Sequence, residues 1–147
     1  MPLILGLIAG LVTALACGIA WGQIAKHLNA EIGYAALGVG AATGLAVRMA
    51  SRAAQLPQQI VGVVCAVLGI FFGKVYAFKY LTEEFLEAEY GESVTLSIFE
   101  PEFYEVFFEY YAESAGKDLI FDALWVVLAV VMAWRIAGYS PAANLPE

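Results

Sequence analysis

Charge is what this chain has least of. Only 14% of its 147 residues are Asp, Glu, Lys or Arg, against 62% hydrophobic. Soluble domains run nearer a quarter charged and half apolar. A soluble fold of this size cannot hide so much apolar surface, and the mean hydropathy of +0.77 points the excess towards lipid. Histidine occurs once, as His27, and cysteine twice, as Cys17 and Cys65, with no CxxC. That combination excludes a zinc site or a disulfide framework and leaves the thiols as small apolar packers. No Lys/Arg cluster exists among the seven basic residues, so the phosphate-neutralising surface needed for nucleic acid is missing. Acids are scarce everywhere except one stretch: eleven of the fourteen lie between Glu83 and Asp118.

What is there in abundance is long apolar runs. About 20 apolar residues at 1.5 Å rise cross the hydrocarbon of a bilayer. Four stretches meet that requirement, at about 3–24, 32–49, 59–78 and 119–136. The expected fold class is therefore all-α: an integral membrane four-helix bundle, one domain over 1–147. Prolines at 2, 57, 101, 141 and 146 all fall at or beyond the ends of these stretches, where a missing N–H does least harm. Trp21, Tyr34, Tyr76, Phe78, Tyr80 and Trp134 fall near span ends, as an interfacial aromatic belt does. Met1–Gly10 contains no Lys or Arg, so the basic start of a cleaved signal is lacking and the first stretch reads as a span.

The connections Gln23–Glu31 and Ala50–Leu56 are short enough for antiparallel hairpins, and His27 falls in the first of them as a surface residue. Residues 79–117 are different, forming an acidic, aromatic extramembrane segment. Within it Leu81–Glu89 continues the third helix until Gly91 breaks it. Val94–Phe99 alternates like a short strand, and Pro101 opens an amphipathic helix to about Ala115, stopped by Gly116. Glu102, Glu105, Glu109 and Glu113 recur every three or four residues and form one stripe on that helix. Such a stripe is a solvated face, a surface for a partner or for a divalent cation, or the acidic mouth of a cation pathway. An even number of crossings puts both chain ends on one side. Positive residues divide almost evenly, and the orientation expected is ends cytoplasmic with the acidic segment outside.

Glycine spacing carries the packing. Gly6/Gly10 and Gly18/Gly22 lie in the first span, Gly40/Gly44 in the second and Gly69/Gly73 in the third. Glycines four apart open a helix face to a second backbone, so the first three spans read as a tightly packed unit. The fourth has no GxxxG and carries Leu, Val and Trp instead, which places it at the periphery. Lys74 and Asp122 each lie about a turn inside spans that leave the acidic segment in opposite directions. An ion pair between them, at matched depth, ties span three to span four.

The run Ile32-Gly33-Tyr34-Ala35-Ala36-Leu37-Gly38-Val39-Gly40 followed by Gly44-Leu45-Ala46-Val47-Arg48, together with Leu68–Lys74 and Asp122–Trp125, resembles a loose group of small bacterial four-span membrane proteins of unknown function. The resemblance covers most of the spans and little of the acidic segment; it implies a bacterial membrane protein and nothing about activity. Small multidrug transporters carry a glutamate in the first span, where Leu3–Ile24 has no acid. Fluoride channels are similar in length, but their buried asparagine and Phe box have no counterpart in these spans, and the CxxC that quinone-reducing disulfide enzymes require is absent. With no catalytic, cofactor or metal motif, the expected role is a non-enzymatic subunit or scaffold. It would bind membrane-protein partners, or itself, through the glycine faces and the acidic segment. The other class is a small oligomeric channel or transporter for a cation or small solute.

Overall fold

The computed structural model describes residues 1–28, 33–113 and 118–139. Glu31, Ile32, Ala115, Gly116, Lys117, Pro141 and Pro146, on which parts of the reading above rest, lie outside the described residues. Five helices form and, among the described residues, no strand. They are α1 (Pro2–Leu28), α2 (Ala35–Ser51), α3 (Leu56–Tyr90), α4 (Pro101–Glu113) and α5 (Asp118–Gly138). Three contain stretches long and apolar enough to cross a membrane: Pro2–Leu28, Leu56–Tyr90 and Ile120–Gly138. α2 is apolar but has only 17 residues, about 25 Å of helix at 1.5 Å per residue.

Local sequence sets the helix ends. α3 starts from Gln55 in extended conformation with Pro57 in its first turn, where the ring blocks nothing that needs a hydrogen bond. It stops 35 residues later at Gly91, whose φ of 71° is the left-handed cap that glycine adopts without steric cost. α2 ends on a similar cap, but there the residue is Arg52, with φ of 50°. α1 runs past Ile24 to Leu28, so His27 belongs to the helix rather than to a loop. Lys26 and His27 in that last turn face the negative end of the helix dipole, which favours the extension.

α2 and α3 form the central pair, with α1 against both on one side and α5 against both on the other. Along α1, Gly10 faces Cys65, Gly18 faces Phe72 and Gly22 faces Tyr76. The two sequence numbers rise together, so α1 and α3 run parallel. Gly40 faces Ala129 and Gly44 faces Ala133, so α2 and α5 are also parallel. Gly62 against Ala137, and Gly69 against Val39, set α3 antiparallel to both. The outward surface is apolar: Ile4, Ile8, Val12 and Ile19 on α1, Ile60, Val64 and Val67 on α3, and Val127, Val131 and Met132 on α5 are exposed. The interior holds the small residues. This inversion of the soluble pattern is what lipid-facing helices require, since their packing comes from close van der Waals contact rather than from excluding water.

Two expectations are corrected. α5 is not a loosely attached peripheral helix: Ala129, Ala133 and Ala137 are each 0% exposed and seat it on the glycines of α2 and α3. Alanines four apart do for α5 what glycines do elsewhere, while Leu124, Val127, Leu128 and Val131 stay exposed and Trp125 packs inward against Gly33. Gly40 and Gly44 therefore serve the contact with α5, not a unit closed among the first three long helices. Trp21, placed in the interfacial belt from sequence, is instead 2% exposed with its ring over Gly73. The missing side chain of Gly73 makes the space that an indole fills.

Candidate functional site

The feature that stands apart from the helix packing is the acidic, aromatic segment, built on the end of α3. Val94–Phe99, expected as a strand, is irregular. A lone extended segment has no ladder to join, and its alternation serves a different end. Leu96 and Ile98 pack against a cluster of Val75, Phe78, Phe103 and Phe107. Glu83 fixes the segment from below. Its Oε1 accepts a hydrogen bond from the Leu96 amide at 2.6 Å and another from Lys79 Nζ at 2.6 Å. Both side chains of that ion pair are largely covered, at 15% and 16% exposure. The Lys79/Glu83 spacing of four was visible in the sequence; the contact to an amide 13 residues away was not.

α4 lies along α3 through rings. Phe103 meets Phe78 at 5.6 Å between centroids, Phe107 meets Phe78 at 5.4 Å and Phe71 at 6.2 Å, and Tyr110 meets Phe78 at 5.4 Å. Phe78 is the hub, touched by rings from three successive turns of α4. Edge-to-face contacts at these distances add about 0.5–1.5 kcal/mol each beyond their area. Glu102, Glu105, Glu109 and Glu113 all stay exposed. Between α4, the 91–100 segment and α3 lies a cleft of about 290 Å³. Phe78, Leu86, Leu96, Phe103 and Val106 line it, and Glu100 and Glu102 stand at its edge. Among the described residues no group of three His, Cys, Asp or Glu is arranged to hold a metal ion.

Beside α4, Lys74 of α3 and Asp122 of α5 meet. Lys74 Nζ lies 2.6 Å from Asp122 Oδ2 and 5.0 Å from the centre of the Tyr111 ring. One ammonium thus links α3, α5 and α4. The side chains are 16% and 28% exposed, so neither charge is fully solvated and each needs the other.

The remaining residues singled out from sequence are structural in placement. All eight glycines of the four GxxxG pairs are buried. Gly6 faces Val47 and Ser51, Gly10 faces Cys65 and Val47, and Gly69 faces Val39 and Ala14. Every one of them is therefore occupied by this chain's own helices, and none presents an open face to a partner. Cys65 is buried among them and Cys17 half-buried, both as free thiols. Thr43, a buried hydroxyl midway along α2, donates to its own helix, at 2.8 Å from the Val39 carbonyl and 3.1 Å from that of Gly40.

The class these observations define is a helical protein with at least three helices suited to a membrane and an acidic, aromatic platform at one end. No family model, no curated protein and no solved structure matches the chain.

Proposed function

We propose that the chain crosses the bilayer four times, through α1, α2, the first two-thirds of α3, and α5, as a four-helix bundle. In this reading it is a non-catalytic integral membrane subunit or scaffold that receives another membrane protein, or a second copy of itself, on the acidic platform. α2 is a few ångströms short of a typical hydrocarbon layer, a mismatch that thinning and flanking residues absorb at a fraction of a kcal/mol per ångström. The proposed setting is a bacterial inner membrane with residues 52–55 cytoplasmic and the platform outside.

The observation that carries this reading is the contrast between used and unused surface. The small-residue faces are consumed within the chain. The platform keeps an apolar cleft beside Glu100 and Glu102, with Phe99, Val106 and Phe108 exposed around it. An interface commonly joins an apolar centre to a charged rim, and the chemistry here suits a partner that offers an apolar side chain flanked by Lys or Arg. Against the channel or transporter reading stands the interior: Thr43 is satisfied by its own helix, and among the described residues the other buried polar ones, Ser51 and Gln58, sit at the end of the fold opposite the platform.

A photo-crosslinking amino acid at Phe99 or Phe108 tests this in native membranes, with the lipid-facing Ile8 as control. The reading expects a discrete adduct from the platform positions that disappears with Glu102→Lys and Glu105→Lys together. Adducts confined to Ile8, or platform adducts indifferent to charge reversal, overturn it.

A further inference from the structure

Opposite the platform, where α2 turns into α3, lies a second cleft of about 420 Å³. Arg48, Arg52 and Tyr139 form its polar end, and Leu45 and Met49 its apolar wall. The guanidinium of Arg48 sits over the Tyr139 ring at 4.8 Å, which holds it in place without neutralising it. Among the described residues neither arginine has a carboxylate partner. The acids that would neutralise them are concentrated at the other end of the fold, eleven of fourteen lying between Glu83 and Asp118. Arg52 also occupies its left-handed position at a steric cost that glycine there would avoid. Leu45 and Met49 are 47% and 69% exposed, on the outward surface of a helix whose next turn is charged.

We infer that this cleft binds the phosphate headgroup of an anionic phospholipid, with the acyl chain lying along Leu45 and Met49. Arg48 and Arg52 lie four positions apart, in the last turn and the cap of α2, and both side chains line the one cleft. Guanidinium groups recognise a phosphodiester through paired N–H donors, and two of them at one cleft can share its oxygens. The apolar wall then distinguishes a lipid from a free anion, since inorganic phosphate gains nothing from Leu45 or Met49. The inference rests on α2 crossing the bilayer, because that puts the two arginines at headgroup depth. The competing account is that both side chains merely offset the negative carbonyl end of α2.

Native mass spectrometry of the full chain, released from nanodiscs holding equal phosphatidylglycerol and phosphatidylcholine, tests it. Phosphatidylglycerol is expected to be retained preferentially, and Arg48→Gln or Arg52→Gln each to cut that preference about fivefold. Arg52→Gly separates binding from folding. It relieves the left-handed backbone, so thermal stability is kept or raised while the lipid preference falls as in Arg52→Gln. Millimolar inorganic phosphate is expected to leave the bound lipid in place. Equal retention of the two lipids, a preference that survives both Gln substitutions, or displacement by inorganic phosphate each overturns the proposal. Failure of α2 to span would show separately, as a change in the sidedness of residue 54 and not in lipid selectivity.

Discussion

Replacing Gly44 by alanine adds one methyl group where α2 and α5 touch backbone to backbone. That methyl would stand 2.8 Å from the carbonyl oxygen of Ala133 and 3.0 Å from its Cα. Carbon atoms in contact prefer about 3.5–4.0 Å, so the helices must part by about 0.5–1 Å, and no flexible side chain is present to yield instead. Overpacking of this kind costs about 1–3 kcal/mol. It acts against a gain of about 0.5–1 kcal/mol from replacing glycine inside a helix. Gly38 provides the matched control, since a methyl there meets nothing within 4 Å and only the gain remains. Reversible unfolding in bicelles, followed by steric trapping, should place Gly44→Ala below the wild type and Gly38→Ala at or above it. If Gly44→Ala is as stable as Gly38→Ala, the close approach of α2 to α5 is wrong.

Lys74→Ala and Asp122→Ala should each cost about 1–3 kcal/mol, because each strands a partly covered charge. The double variant should cost less than the sum by at least about 1 kcal/mol; additive losses in a double-mutant cycle would show that the pair is not coupled. Glu83→Gln removes the charged acceptor of the Leu96 amide, a bond worth about 1.5–3 kcal/mol. Hydrogen exchange across residues 93–98 should quicken while that of α1 stays unchanged, and unaltered protection at Leu96 would contradict the role given to Glu83.

Much of the fold is legible from hydropathy and punctuation. Four apolar runs become α1, α2, most of α3 and α5, and Gly91 and Pro101 mark a helix end and a helix start because a left-handed cap and a first-turn ring each suit one residue type. Lys74 and Asp122 are 48 positions apart in sequence, yet both lie about a turn inside antiparallel helices that leave one segment, which is enough to set them at equal height. The seating of α5 was hidden because alanine signals nothing alone: Ala129, Ala133 and Ala137 matter only opposite Gly40, Gly44 and Gly62. Trp21 looked interfacial from its place near a span end, but α3 continues well beyond it and Gly73 opens room for the indole. The alternation in Val94–Phe99 is real. It records which side chains enter the aromatic cluster, not a strand, and no local pattern separates those two causes. The hydrogen bond from the Leu96 amide to Glu83 depends on how the chain folds back after Gly91, which composition does not encode.

The central claim is that all four apolar helices cross the bilayer, with the platform on one side and the α2–α3 turn on the other. Single cysteines at Ser93 and at Ala54, introduced after Cys17→Ala and Cys65→Ala and probed with a membrane-impermeant maleimide on intact and opened vesicles, test it directly. Residue 54 is exposed beside Arg52, and residue 93 is exposed in the platform segment. The account requires opposite sidedness for the two, and protection from both sides for a cysteine at Ala42, midway along α2. Labelling of residues 54 and 93 from the same side would contradict it.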